Sequence, residues 1–97
     1  VGILSTIGEI HIKDLMGYMK SKDFTSARKW AVENLDNAPT ELFRKIYDGL
    51  YDAVTSSSVP QAILVLAEYQ YKSAFVADQE INLVACIVEL MMGCEFK

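Results

Sequence analysis

The chain has 97 residues, of which 52% are hydrophobic, and its nine basic and thirteen acidic side chains give a formal net charge of −4. So much apolar material at this length predicts one folded domain rather than a disordered segment. The negative charge argues against a stand-alone binder of nucleic acid or of an anionic membrane, because both attract surfaces rich in Lys and Arg. The longest uncharged stretch, residues 53–67, contains three serines and Pro60, so we predict no transmembrane helix.

Two further features bear on the cellular compartment. The chain begins at Val1 with no basic flank before an apolar segment, so we predict no signal peptide. Because it does not begin with Met, we expect a segment of a longer protein. Cys86 and Cys94 are eight residues apart, and on one helix their Cα atoms would lie about 12 Å from each other, beyond disulfide reach. We therefore expect reduced thiols in a cytoplasmic protein, with Cys86 as a small core residue.

The first half of the chain has the periodicity of three helices. Apolar residues recur at three- and four-residue steps, which is typical of the buried face of an α-helix. The stripes are Ile12, Leu15, Met16 and Met19, then Phe24, Ala27, Ala31 and Leu35 with Trp30 beside them, then Leu42, Phe43, Ile46, Tyr47, Leu50, Tyr51 and Val54. Asp23 is placed to cap the second helix, and Pro39 suits the first turn of the third. We interpret residues 1–8 as the tail of a preceding linker, although Ile7 and Ile10 extend the pattern of the first helix backwards.

The second half predicts a loop over residues 55–58 and two more helices. Ser58 and Gln61 have the spacing of a capping box, so a fourth helix should begin there and run to about Phe75. Asp78 should cap a fifth helix that reaches about Met92, with Gly93 ending it. No run alternates long enough to be a strand, so the predicted fold is all-α, a five-helix bundle. Gly17 and Gly49 fall inside predicted helices, where glycine is either tolerated or allows a neighbouring helix to approach closely.

The last two helices are more apolar than so small a bundle needs. Residues 62–67 are all apolar, and between Ile81 and Met92 only Asn82 and Glu89 are polar, in line with Asp78 on one narrow edge. A helix that is apolar all round is normally buried all round, and a domain of this size can surround about one such helix. One alternative is that the fifth helix is simply the centre of the bundle. The other is that an apolar face of the last two helices remains uncovered within the domain and packs on another subunit. We predict the second alternative.

Residues for catalysis or ligand binding are scarce. His11 is the one histidine, no phosphate-binding glycine loop is present, and the cysteines lack the spacing of metal ligands. Asp48 and Asp52 are typical of a solvated helix edge. We therefore assign no catalytic, cofactor or metal residues and do not expect an enzyme. A helix-turn-helix DNA binder is a weak alternative, because the third helix carries more acidic than basic residues.

Several segments resemble the C-terminal domain of clamp-loader small subunits. The segments are residues 12–19, Lys22-Asp23-Phe24 with Ala27, residues 39–43, residues 66–71 and residues 77–83. The amino-acid sequences of residues 26–30 and 68–72 are most similar to those of the family members from T-even-type bacteriophages. Ala77, where most cellular members have glycine, also favours that branch over cellular replication factor C.

The resemblance implies that residues 1–97 form the collar domain of an AAA+ clamp loader. Such a domain joins subunits into a ring-like collar, while preceding domains of the parent bind ATP and Mg²⁺ and hydrolyse the ATP. The parent complex loads a sliding clamp onto primer–template DNA during replication, here in the cytoplasm of a host bacterium. Its implied partners are other clamp-loader subunits, the clamp and DNA through the parent complex, and no membrane. The family's ATP-binding, arginine-finger and DNA-tracking residues lie outside this stretch.

The candidate subunit interface lies on the fourth and fifth helices. It consists of Tyr69, Tyr71, Phe75, Ile81, Val84, Val88 and Met91. The alternative function is that of an unrelated all-α protein-interaction adaptor, which would bind a partner helix in an apolar groove.

Overall fold

A computed structural model describes residues 11–97. It contains five α-helices and one 3₁₀ turn. The elements are α1 (Ile12–Lys20), α2 (Phe24–Glu33), α3 (Pro39–Ala53), the 3₁₀ turn (Ser56–Ser58), α4 (Val59–Lys72) and α5 (Gln79–Gly93). The prediction of an all-α, five-helix fold is confirmed for this part of the chain. The expectations for residues 1–8, and for a backward extension of the first helix through Ile7 and Ile10, lie outside the described residues.

The helix starts follow the local chemistry of their first residues. The Asp23 carboxylate accepts a hydrogen bond from the backbone N–H of Ser26 (3.1 Å) at the start of α2. Hydrogen bonding from the Ser26 side chain, and then from this N–H, holds the pKa of the Asp23 carboxyl below its usual value. The Asp78 carboxylate accepts from the backbone N–H of Glu80 and of Ile81 at the start of α5. Pro39 occupies the first turn of α3, where its missing N–H costs nothing. All three predicted starts are confirmed.

The predicted start of α4 beside Ser58 is confirmed, but the predicted capping box is wrong. The Ser58 hydroxyl makes no cap bond and instead accepts from the backbone N–H of Glu95 (2.8 Å), near the C-terminus. The helix also ends at Lys72 rather than at Phe75. The Ser73 hydroxyl donates to the Gln70 carbonyl (2.6 Å), a local bond that competes with continuation of the helix.

The core collects side chains from all five helices around α5. Its buried helical residues are Leu15, Met19, Ala27, Trp30, Ala31, Leu42, Phe43, Ile46, Leu50, Ala62, Val65, Leu66, Leu83, Cys86, Ile87, Leu90 and Met91. Helix α5 packs against α1, α2 and α4, and α3 packs against α1 and α4. The fifth helix is nevertheless not surrounded on all sides, as one of the two sequence alternatives held, because Ile81 and Met92 are exposed. Its apolar surface thus exceeds what its neighbours cover.

The two helical glycines have different surroundings. A Cβ atom at Gly49 in α3 would lie 2.8 Å from Cγ1 of Ile12 in α1, whereas a Cβ atom at Gly17 would meet nothing within 4 Å. Close approach of a neighbouring helix thus explains Gly49, and tolerance explains Gly17.

Three long-range hydrogen bonds hold the C-terminal segment against the rest of the bundle. Lys22, in the α1–α2 corner, has a positive φ of 62°, and its ammonium donates to the Met91 carbonyl in the last turn of α5. A cation at this end of a helix also interacts favourably with the helix dipole. After α5 the backbone N–H of Thr55 donates to the Glu95 carbonyl (2.8 Å) and that of Lys97 to the Ala53 carbonyl (2.9 Å).

Candidate interaction surface

Helix α5 turns one apolar stripe away from the core. The stripe is Ile81, Ala85, Val88 and Met92, spaced at four, three and four residues, so its members lie on one side of the helix. Ile81 is 66% exposed and Met92 is 82% exposed, while Ala85 and Val88 are half-buried. This side carries no charged group among the four residues. Within residues 11–97, α5 therefore has an apolar side that no other element covers.

Helix α4 and the turn after it present a second apolar stripe. It consists of Leu64, Ala67, Tyr71 and Phe75, spaced at three, four and four residues. Leu64, Tyr71 and Phe75 are 67%, 71% and 70% exposed. The rings of Tyr71 and Phe75 touch, with centroids 5.0 Å apart and planes inclined by 59°. Contact between the rings restricts the positions that either side chain can take.

A polar seam joins α4 to α5 between the two stripes. The Asn82 side-chain amide donates to the Tyr69 carbonyl (3.1 Å), and the Tyr69 hydroxyl donates to the Glu89 carboxylate (3.3 Å). Partial burial, and then the charge of Glu89, raise the pKa of the Tyr69 hydroxyl. The predicted polar edge of α5 thus exists but faces α4, and Asn82 is buried rather than solvated.

The two stripes lie on neighbouring helices. Helices α4 and α5 are antiparallel, because Asn82 near the start of α5 bonds Tyr69 near the end of α4, while Gly93 at the end of α5 lies beside Gln61. Leu64, Ala67 and Tyr71 lie about 140–160° around the α4 axis from Tyr69, whose side chain contacts α5, so the α4 stripe points away from α5. We call the two stripes together the outward face; its members are Leu64, Ala67, Tyr71, Phe75, Ile81, Ala85, Val88 and Met92.

The residues predicted for the interface separate into two groups. Tyr71, Phe75, Ile81 and Val88 belong to the outward face. The others face inward to different degrees: Tyr69 and Val84 are half-buried against the core, and Met91 is only 6% exposed and belongs to the core itself. Met91 is turned inward because it lies one residue before Met92, about 100° around the helix axis.

Two prominent members of the outward face were not predicted, Leu64 and Met92. Each is in helical register with a predicted residue, since Leu64 lies seven residues before Tyr71 and Met92 eleven after Ile81. Extending the stripe by whole helical turns is the signal that would have found them.

A shallow apolar groove of about 290 Å³ lies at the C-terminal end of the outward face. It is lined by Lys22, Phe24, Val88, Met91 and Met92, so it joins the α1–α2 corner to the last turns of α5. Phe24, the first residue of α2, is 43% exposed at this groove. The apolar surface therefore continues from α5 onto the corner.

Few side chains among the described residues are arranged for catalysis or for binding a metal ion. Between residues 11 and 97 no group of three or more His, Cys, Asp or Glu side chains is placed to hold a metal ion. His11 is exposed, and its backbone carbonyl accepts from the Trp30 indole N–H (3.0 Å). Asp48 is exposed and pairs with Arg44 (3.4 Å). These contacts are structural.

The two cysteines are free thiols in apolar surroundings. Burial, and then the charge of Glu89, raise the pKa of the Cys86 thiol. Burial also raises the pKa of the Cys94 thiol, an effect that the charge of Lys22 partly offsets. Neither environment favours the thiolate that a nucleophilic cysteine needs.

No helix within the described stretch has both the length and the apolar character that crossing a bilayer requires. The chain matches no protein-family model and no curated protein.

Proposed function

We propose that this chain is a non-catalytic assembly domain, the collar domain of a sliding-clamp loader's small subunit. It joins subunits into the ring-like ATPase complex that loads the sliding clamp onto primer–template DNA in replication. The observation that carries the proposal is the outward face, two apolar stripes on the two C-terminal helices that residues 11–97 leave uncovered. Assembly with other subunits is what such a surface suits.

The exposed area has the size that an interface needs. The five most exposed large side chains of the face are Leu64, Tyr71, Phe75, Ile81 and Met92. Together they expose on the order of 700 Å², close to the roughly 800 Å² that each partner buries in a typical stable interface. At about 25 cal/mol per Å² of apolar surface, burying this area corresponds to roughly 17 kcal/mol of transfer free energy before the costs of association are subtracted. Such patches on soluble domains mark interaction sites.

The resemblance to clamp-loader small subunits supports the same function. Its segments fall at the α1–α2 corner, the first turn of α3, the end of α4 and the capped start of α5. Several of these residues have structural roles, including Asp23 as a helix cap and Pro39 in a first turn. The resemblance therefore concerns residues that shape the bundle, and it agrees with a domain that acts by assembling.

Native mass spectrometry of the chain, alone and mixed with the large subunit of a T-even-type clamp loader, tests this function. We expect species heavier than the 10.9 kDa monomer in at least one sample. The double variant Leu64→Ser/Ile81→Ser should lose those species, because it places two hydroxyls in the outward face. The matched control is Val32→Ser/Tyr51→Ser, which removes exposed apolar side chains outside that face and should assemble normally.

A strictly monomeric chain in both samples would contradict the proposal. It would favour the adaptor function instead, in which the outward face binds a helix of an unrelated protein.

A further inference from the structure

The segment that follows α5 lies against the segment that follows α3. Cys94 has an extended backbone with φ −115° and ψ 147°, and so has Val54 with φ −100° and ψ 160°. Val54 and Phe96 face each other as an antiparallel β-bridge. We call residues 94–97 the strap and residues 53–58 the acceptor segment. The chain thus makes a short β-type contact at the ends of two helices.

The strap is bound mainly through its backbone. The N–H of Lys97 donates to the Ala53 carbonyl (2.9 Å), and the N–H of Thr55 donates to the Glu95 carbonyl (2.8 Å). The N–H of Glu95 donates to the Ser58 hydroxyl oxygen (2.8 Å). Backbone hydrogen bonds of this kind also hold peptides that add a strand to an exposed edge. The acceptor segment therefore offers the same three hydrogen bonds to another extended segment.

One side chain of the strap gives the contact its specificity. Phe96 is half-buried and packs against the core opposite Val54, whereas Glu95 and Lys97 are exposed. Successive residues of an extended segment point to opposite sides, so the middle residue alone meets the bundle. The contact therefore favours a large apolar side chain at this position, here an aromatic one.

An acidic residue lies beside the position that follows the aromatic one. A groove of about 380 Å³ runs along the acceptor segment, and Tyr51, Asp52 and Lys97 are among the residues that line it. The Asp52 carboxylate attracts a basic side chain at the position of Lys97, although the exposure of both groups keeps this preference small. An aromatic residue followed by a basic one thus matches both features of the acceptor segment.

The strap is held less firmly than the helices it joins. Three backbone N–H hydrogen bonds connect it to the acceptor segment, and Phe96 is its half-buried apolar anchor. A two-stranded pairing of this length has little stability of its own. Segments with few buried apolar contacts open locally while the rest of a domain stays folded. We therefore expect the strap to leave the acceptor segment without unfolding of α3 or α5.

We propose that the acceptor segment is a binding site for an extended segment of a partner protein, in which an aromatic residue is followed by a basic one. The strap occupies this site in the free chain and competes with the partner. The partner's apparent affinity is lowered in proportion to the small fraction of chains in which the strap is open. This site is separate from the outward face, because the acceptor segment contains none of the residues of that face.

Amide hydrogen exchange of the unmodified chain tests whether the strap opens by itself. We expect the N–H groups of Glu95 and Lys97 to exchange at least tenfold faster than that of Leu90, which lies in the core part of α5. Equal exchange at the three positions would overturn the proposal, because the strap would then open only when the bundle unfolds.

A peptide titration followed by NMR tests the binding site. The probe is the end-blocked peptide Gly-Ser-Glu-Phe-Lys, which has the sequence of residues 93–97 with serine in place of Cys94. In the full chain, Phe96→Ser removes the anchor of the strap and leaves the acceptor segment intact. We expect the peptide to shift the amide signals of Thr55 and Ser58 in this variant, and to bind the unmodified chain at least tenfold more weakly.

Two controls accompany the titration. Val32→Ser changes an exposed apolar residue on α2, so this variant should bind the peptide as weakly as the unmodified chain does. A peptide with serine in place of phenylalanine should bind neither chain, because it lacks the side chain that packs against the core.

Three results of the titration would contradict the proposed site. They are the absence of shifts in a Phe96→Ser chain that circular dichroism shows to be folded, equal binding of the two peptides, and equal binding by the variant and the unmodified chain. If Phe96→Ser does not fold, Lys97→Pro replaces it, since this change removes only the N–H that bonds the Ala53 carbonyl. Lys97→Pro should also bind the peptide more tightly than the unmodified chain, and equal binding would again contradict the site.

Discussion

At the scale of single residues, the two helical glycines show how context decides the role of one residue type. Both have helical backbones, and glycine inside a helix costs about 1 kcal/mol relative to alanine. At Gly17 no close packing compensates for this cost, because a Cβ atom there would meet nothing within 4 Å. At Gly49 the missing side chain lets α3 approach Ile12 of α1.

Alanine substitutions at the two glycines should therefore have opposite effects. We expect Gly17→Ala to raise the free energy of unfolding by up to about 1 kcal/mol. Gly49→Ala should lower it by about 1 kcal/mol, because the clash with Ile12 outweighs the gain in helix propensity. Urea denaturation measures both, and equal stabilisation by the two substitutions would show that α1 moves away from α3 without cost.

Asn82 and Met91 mark the limit of prediction at this scale. The sequence shows that α5 is apolar on nearly all sides, but such a pattern does not define which side faces the core. The rotation of α5 about its own axis is decided by tertiary contacts, such as the hydrogen bond from the Asn82 side chain to the Tyr69 carbonyl. Asn82 is buried and Met91 belongs to the core for this reason.

At the scale of elements, most helix starts were predictable because their signals are local. Asp23, Pro39 and Asp78 act within one turn of their own position, so no other part of the chain is needed to interpret them. Ser58 has an equally good local pattern and does precede α4, but its hydroxyl does not cap the helix, because a distant partner competes for that hydroxyl. Glu95, 37 residues away in sequence, supplies that partner.

Alanine at Ser58 should thus loosen the C-terminal segment rather than α4. We expect Ser58→Ala to lower the free energy of unfolding by about 1 kcal/mol, since the Glu95 N–H loses its acceptor. The control Ser57→Ala changes an exposed hydroxyl that contacts Thr55 at the surface, and should shift stability by less than about 0.5 kcal/mol. Amide hydrogen exchange should show faster exchange at Glu95 and Lys97. Faster exchange confined to the first turn of α4 would mean that Ser58 caps that helix after all.

At the scale of the whole molecule, stability and assembly are linked. A contact made only between folded copies favours the folded state, and its effect grows with protein concentration. Trp30 is the one tryptophan of the chain and is buried, so its fluorescence reports unfolding of the core.

The melting temperature should therefore depend on concentration. We expect the Tm of the unmodified chain, followed through Trp30 fluorescence, to rise by a few degrees for each tenfold increase in concentration. The Phe75→Ser variant should melt at one temperature throughout the same range. A Tm of the unmodified chain that is independent of concentration would argue that the outward face stays in water.

The contacts at the end of the chain have a consequence for its synthesis on the ribosome. The hydrogen bond from Lys22 cannot form until Met91, 69 residues later, has been synthesised. The bond to the Ser58 hydroxyl likewise requires Glu95. Helix α5 also supplies the surface on which α1, α2 and α4 pack. A nascent chain that has released α1 to α4 from the exit tunnel still lacks its central support, so its apolar sides stay available to chaperones until translation of this stretch is complete.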